Sequence, residues 1–419
     1  MMKNLVSRAL ARLGGFSRRS LWLGAVSLLV LSGCQRQQAV EPATGSAAVE
    51  AFLAEHWRDP VPAQGKPPAH FSAVEASLDP EACATCHAAQ HKDWSGALHG
   101  HTMGAGIRWQ FELLGQEESN RCLRCHAPLA EQKALVARAM GWGNAPSTPP
   151  PAYVPETLAD SGLNCAACHV RGHQRFGPPA RDGVRIGNDA PHAGFTASEA
   201  FQDSRFCATC HQFPEDGPRL AGKLREDTYQ QWLASNHAGK QSCQSCHMPE
   251  RKHLWRGIHD PDMLRRGLAV ELKLTRLESG AYRAEVEARN QGAGHHLPTY
   301  MVPKIDLVLT LHQAGAAPVE LARDVIGWKA DVTMREEEFD TRLAAGSSRH
   351  YAHAFVAPGK PGWHVELSVE VAPREHYERM FRHSLINVSM SRAASDLLKT
   401  AIAEAAATRY TAMRLTAKP

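Results

Sequence analysis

Ten of the eleven cysteines in this 419-residue chain fall into five Cys-x-x-Cys-His pentads. They are Cys83/Cys86/His87, Cys122/Cys125/His126, Cys165/Cys168/His169, Cys207/Cys210/His211 and Cys243/Cys246/His247. Two thiols separated by two residues and closed by an adjacent histidine make the pattern of a c-type haem attachment site. The thiols add across the vinyl groups of one porphyrin, and the histidine lies under its iron as proximal ligand. A single Cys-x-x-Cys would fit a redox dithiol or half of a zinc site equally well. Neither alternative requires the histidine, which here recurs in every pentad. The cofactors expected are five haem c groups, and counting leaves no cysteine pair for a disulfide.

The remaining cysteine, Cys34, bears on location. Residues 1–33 contain Lys3, Arg8, Arg12, Arg18 and Arg19, no acidic side chain, and the apolar run Leu21 to Leu31. This is the composition of an export signal peptide. Its end, Leu31-Ser32-Gly33-Cys34, resembles the lipobox of bacterial lipoproteins, in which cleavage precedes the cysteine and its sulfur is acylated. The competing readings are an uncleaved anchor or a stray cysteine, but a bilayer span needs about 20 apolar residues and this run is shorter. Ser17 to Trp22 also resembles a twin-arginine signal. Haem is attached after export, so a route for folded cargo is unnecessary. The chain is therefore expected on the periplasmic side of the cell envelope, held to the membrane through lipidated Cys34. Gln35 after that cysteine favours the outer membrane.

Charge excludes one class of partner. The whole chain is formally +4, but the leader supplies five of the basic residues, so the remainder carries one more acidic than basic side chain. A nucleic-acid partner loses its electrostatic basis.

The periodicity divides the chain. Residues 34–78, with Pro42, Pro60, Pro62, Pro67 and Pro68 around one helical pattern at Val49 to Trp57, read as a lipid-anchored tether. Residues 79–265 hold every pentad, and so many haems predict short helices and loops wrapped around porphyrins. From 266 to 392 the pattern alternates, as in Leu268/Val270/Leu272/Leu274, Tyr282 to Ala288, Ile305 to Leu311 and Val365 to Val371. Alternation predicts half-buried strands, and the fold class expected is a multihaem cytochrome c with a C-terminal antiparallel β-sandwich. A terminal helix is expected over 393–419, its pattern running from Ala393 to Met413.

Eighteen histidines remain beyond the proximal five. A second axial histidine keeps an iron low-spin and limits it to electron transfer, whereas an open position admits substrate. Trp94 to His99 and Trp232 to His237 share W-x-x-[AS]-x-H, a spacing that predicts an indole on a porphyrin and an imidazole on an iron from one helix. His101 competes with His99. Other distal candidates are His173, four residues past the third pentad; His253 and His259, around Leu254-Trp255-Arg256-Gly257-Ile258; His192; and His295 in the loop Gly292 to Thr299, whose glycines permit close approach. Met103 and Met248 are possible axial thioethers. His312, His350, His353, His364, His376 and His383 read as solvated. Arg108, Arg121, Arg124, Arg171 and Arg175 are candidate propionate partners.

These segments resemble the multihaem cytochromes of the cytochrome c554 and hydroxylamine oxidoreductase-related group. The resemblance rests on Cys83 to His87 followed by Trp94 and His99, on Trp232 to His237 leading into Cys243-Gln-Ser-Cys-His-Met-Pro249, and on Gly292 to Thr299. It covers roughly residues 80–300. It implies parallel and perpendicular haem pairs close enough for electron hopping, with mostly bis-histidine irons. The chain departs from the enzymes of that group in having no Cys-x-x-Cys-Lys pentad. Two functions follow as expectations. One is electron transfer between redox partner proteins, either other cytochromes or a quinol-linked donor. The other is an oxidoreductase with one five-coordinate haem acting on a small nitrogen or sulfur oxide. The β region could serve as a docking module in either case.

Overall fold

A computed structural model describes residues 47–181, 187 and 190–419. The signal peptide and Cys34 with its expected lipid lie outside the described residues. No described helix is long and apolar enough to cross a membrane.

The segment expected to be a tether is folded from residue 47 onward. The helix Ala47–His56 buries Val49 and His56. Phe52 on that helix meets Phe176 edge-on at 5.6 Å between ring centroids and Phe201 at 6.1 Å. His56 Nε2 sits 2.9 Å from the Cys168 carbonyl, and Arg171 Nε donates to the His56 carbonyl at 2.7 Å. Val61 and Leu78 join an apolar cluster with Leu129, Leu158 and Val170. The prolines of this stretch therefore shape a segment that packs against the pentad region.

Residues 79–265 form short helices joined by loops, with one three-stranded and one two-stranded scrap of sheet among them, no strand longer than Gln174–Gly177. Their apolar clusters are small and separate, one around Leu129 and Leu158 and another around Met103, Phe111 and Leu123. A protein-only core of ordinary size is found further on. There, strands Leu268–Arg276, Tyr282–Asn290 and Ser348–Phe355 form an antiparallel three-stranded sheet with Tyr282–Asn290 in the middle. A five-stranded antiparallel sheet runs in the order Glu337–Asp340, Val319–Ala330, Lys304–Gln313, Trp363–Ala372, Tyr410–Ala417.

Alternation explains how the sheets share a core. In Tyr282–Asn290 the buried side chains are Ala284, Val286, Ala288 and Asn290, every second residue on one face. They meet Ile305, Leu307 and Leu309 of the five-stranded sheet, and Val365, Leu367 and Val369 beside them, in the largest apolar cluster. The Leu268 to Ala288 hairpin and the strands around Ile305 and Val365 thus form where the alternation predicted them.

The terminal helix differs from expectation. Ser391 caps a helix Arg392–Ala407, accepting from the Ala394 N–H at 3.1 Å, and the helix stops there. The chain then turns into Tyr410–Ala417, which pairs antiparallel with Trp363–Ala372. Met413 and Leu415 alternate with Arg414 and Thr416, a period-two pattern hidden behind the alanine-rich run that precedes it. Phe381, Leu398 and Ala401 from the two C-terminal helices pack on Ala105 and Trp109, joining this end of the chain to the pentad region.

Leu367 is fully buried between the sheets. Leu367→Ala is expected to lower unfolding stability by about 2–5 kcal/mol, through lost apolar burial and a residual cavity. Denaturant unfolding followed by far-UV circular dichroism measures this, and an unchanged midpoint would contradict the shared core.

Candidate functional site

Each pentad sits in a helical turn. In Phe111–His126, Cys165–His169, Arg205–His211 and Cys243–His247 the pentad closes the helix, and Pro80–Ala84 carries the first cysteine of the remaining one. There the turn continues past the helix, with the His87 N–H donating to the Cys83 carbonyl at 2.9 Å. Residues three and four apart are neighbours on a helix surface. Two thiols and an imidazole are thereby presented on one side of the turn. Polar caps start three of the turns: Asp79 accepts from Glu81 N–H at 3.1 Å, Asn164 from Ala167 N–H at 3.0 Å, and Ser242 from Ser245 N–H at 3.3 Å.

All ten pentad cysteines and all five pentad histidines line one cavity of about 2700 Å³. Ordinary small-molecule sites are about 300–1,000 Å³. The pentads also approach one another. The thiols of Cys83 and Cys165 bias one another's protonation, as do those of Cys125 and Cys210, and of Cys207 and Cys243. Cys168 lies within charge–charge range of Cys207 and Cys210. The pentads therefore run first, third, fourth in a chain of neighbours, with the second and the fifth both adjoining the fourth.

Histidine orientation separates ligand-like imidazoles from structural ones. Nδ1–H donates to a backbone carbonyl in His126 (Thr102, 2.8 Å), His169 (Phe176, 2.7 Å), His247 (Arg256, 2.6 Å), His253 (Arg251, 3.0 Å), His295 (His296, 2.8 Å) and His192 (Gly194, 2.8 Å). In His237 it donates to Gln241 Oε1 at 2.7 Å. A carbonyl only accepts, so the proton is fixed on Nδ1 and the Nε2 lone pair is free for a metal. Burial, the first cause in each case, also favours the neutral ring: His169 and His295 are pushed down to about 4, and His99 to about 3.

Three histidine pairs face each other across the cavity. The ring centroids are 6.3 Å apart for His99 and His211, 6.2 Å for His247 and His295, and 6.1 Å for His169 and His253. Two imidazoles on opposite sides of one metal, with bonds of about 2.0 Å and ring centres roughly 1.2 Å further out, would be about 6.3 Å apart. Burial, and then the charge of nearby His192, hold the His87 imidazole below its ordinary range, and both rings line the cavity. No cage of three or more cysteine, histidine or acidic side chains converges among the described residues. Paired imidazoles beside paired thiols fit an iron porphyrin held by two thioethers and two axial nitrogens.

Several expectations change. His173 does not line the cavity: it is 1 % exposed, packs edge-on to Tyr153, and its Nε2 is taken by the Gly65 carbonyl at 3.0 Å. Its partner comes from the segment read as a tether, which is why the proximity to the third pentad misled. His101 Nε2 is likewise engaged by the Ser95 carbonyl at 2.9 Å. His99, His237, His253, His259 and His295 do line the cavity. The tryptophan and histidine of each W-x-x-[AS]-x-H repeat are not on one helix, because the helices end at Ser95 and Leu233 before either histidine. Trp94 Nε1 donates to the Leu163 carbonyl and Trp232 Nε1 to the Gln241 carbonyl, so both indoles brace the cavity wall. The turn carrying His253 holds Glu250, Arg251 and Trp255 at positive φ, strain of the kind that collects at functional sites. Among the arginines, Arg121, Arg124 and Arg175 line the cavity.

Sequence reasoning missed a second layer. His376, read as solvated, is 1 % exposed and lines the cavity. Tyr300, Arg374 and Tyr377 line it too. No local motif marks them, since the sheets and the helix Glu375–Asn387 bring them in from far along the chain.

No protein-family model matches the chain, and no curated protein matches it. Among solved structures it is similar to a penta-heme cytochrome c552 from Thermochromatium tepidum, with a TM-score of 0.56 and 19 % sequence identity, covering 82 % of this chain and 99 % of that one. At that identity the likeness concerns the fold, and the chain has the fold of a multihaem cytochrome c.

Proposed function

We propose that the chain carries five covalent haems and conducts electrons through them. Each haem is held by one pentad, and four receive a distal histidine: His192 opposite His87, His253 opposite His169, His99 opposite His211 and His295 opposite His247. The porphyrins complete the core that residues 79–265 lack, and the two sheets act as a β-sandwich that lends one ligand, His295, to the haem region. The finer kinship, with the cytochrome c554 and hydroxylamine oxidoreductase-related group, belongs to the same proposal.

The observation that carries this reading is that all five pentads line one cavity, across which three of their histidines face a second imidazole at 6.1–6.3 Å between ring centroids. Each thiol pair would hold the edge of its own porphyrin, so five pentads on one cavity would bring haem edges together. Axial ligands, burial and hydrogen bonds then set the potentials. The burial of His99, His169 and His295 keeps those rings neutral at physiological pH, the form that binds iron. Lipidation of Cys34 would hold this wire at the envelope membrane, on the periplasmic side and with the outer membrane favoured, between a quinol-linked or cytochrome donor and a further redox protein.

Protein-film voltammetry of the holoprotein tests conduction: all five haems should exchange electrons from one adsorbed orientation. A response from only the haem nearest the electrode would contradict the wire. His295→Ala and His253→Ala should each add one high-spin haem to the ferric electron paramagnetic resonance spectrum without loss of bound haem, and an unchanged spectrum would remove them as ligands. Cys34→Ser should move the protein from the membrane to the soluble fraction, with equal partition of both forms as the opposing result.

A further inference from the structure

The four residues His253 to Arg256 meet ligand-like histidines of three pentads. His253 itself faces His169 at 6.1 Å between ring centroids. The Arg256 carbonyl accepts from His247 Nδ1 at 2.6 Å. Trp255 meets His99 at 4.5 Å with the ring planes at 67°, and His253 at 5.2 Å and 88°. The turn is held in place: the Asp93 carboxylate accepts from the His253 N–H at 3.1 Å, and the Arg256 guanidinium pairs with Asp260 at 3.2 Å. Trp255 has a φ of 41°, a conformation that a bulky residue keeps only where its surroundings impose it.

His99 is the ring that differs from its counterparts. Its backbone is tied, the carbonyl accepting from the Leu163 N–H at 2.9 Å and from the Thr102 hydroxyl at 3.2 Å. Its Nδ1, however, is buried and has no hydrogen-bond partner. Both rings of the other two facing pairs have a carbonyl at Nδ1: Phe176 and Arg251 serve His169 and His253, and Arg256 and His296 serve His247 and His295. An acceptor at Nδ1 makes an imidazole a stronger donor to a metal on Nε2. A stronger donor favours ferric iron and so lowers the potential. What confines His99 is the Trp255 indole, at best a weak acceptor through its π face.

We propose that, of the third, fourth and fifth haems, the one held by Cys207, Cys210 and His211 has the highest potential. Trp255 is the positioning residue that keeps it there, by holding the His99 ring away from carbonyls and water. The inference rests on the ligand pairs proposed above and goes beyond conduction: an electron shared among these three haems would settle on the fourth.

Redox titration of the holoprotein, followed by electron paramagnetic resonance, tests this. His99→Ala, His253→Ala and His295→Ala should each replace one low-spin ferric signal by a high-spin one, which identifies the signal of each haem in the unaltered protein. On stepwise reduction of the unaltered protein, the signal assigned through His99 should vanish before the other two. Trp255→Ala admits water to Nδ1 and frees the ring. That signal should then titrate at lower potential and change its g values, which report the 45° between the His99 and His211 planes. Trp255→Phe should keep both near the unaltered values, with five haems bound throughout. A signal that vanishes with or after either of the others would overturn the order of potentials. One unmoved by Trp255→Ala would overturn the role of Trp255, and both results leave the ligand pairs standing. A His99→Ala variant without a new high-spin haem would instead remove His99 as a ligand, and the inference with it.

Discussion

The constraint on which everything else depends is the single helical turn that puts two thiols and an imidazole on one side. It is a local device, fixed by i, i+3, i+4 geometry, and it is repeated five times around one cavity. With a haem attached at every pentad, as proposed, the protein around them would not need to bury much of its own apolar surface. Short helices with small apolar clusters suffice in residues 79–265, whereas the sheets that follow are packed like an ordinary core.

The second half of the proposed iron sites is built at long range. His253 reaches His169 from a strained turn past the last pentad, His99 reaches His211 across more than a hundred residues, and His295 comes from the β region. Each ring except His99 is steered by a carbonyl on Nδ1. Distal ligands supplied from elsewhere couple the folding of the segments to one another. With His295 of the β region as a proposed ligand, the pentad region would not be a free-standing module.

This division explains what was legible beforehand. The pentads, the alternating strands from Leu268 onward and the loop at Gly292 to Thr299 are local patterns, and a one-dimensional reading finds them. The pairing of distal histidines is not local. His173 had the right spacing and the wrong partner, since Gly65 takes its Nε2; His376 had an amphipathic helical context and turned out buried. The strand Tyr410–Ala417 was obscured by the alanine-rich helix before it, whereas the helix Ala47–His56 was legible as a pattern and only its packing against the pentad region was hidden. In each case tertiary partners decided, and none of them is adjacent in the chain.

The most direct measurement of the central claim is the intact mass of the exported protein under denaturing conditions. Covalent attachment at every pentad predicts a mass greater than that of the processed polypeptide by five haems, with no free pentad thiol available to an alkylating reagent. A mass short of five haems, with cysteines of one pentad alkylated or joined as a disulfide, would contradict the reading of that pentad as a haem site.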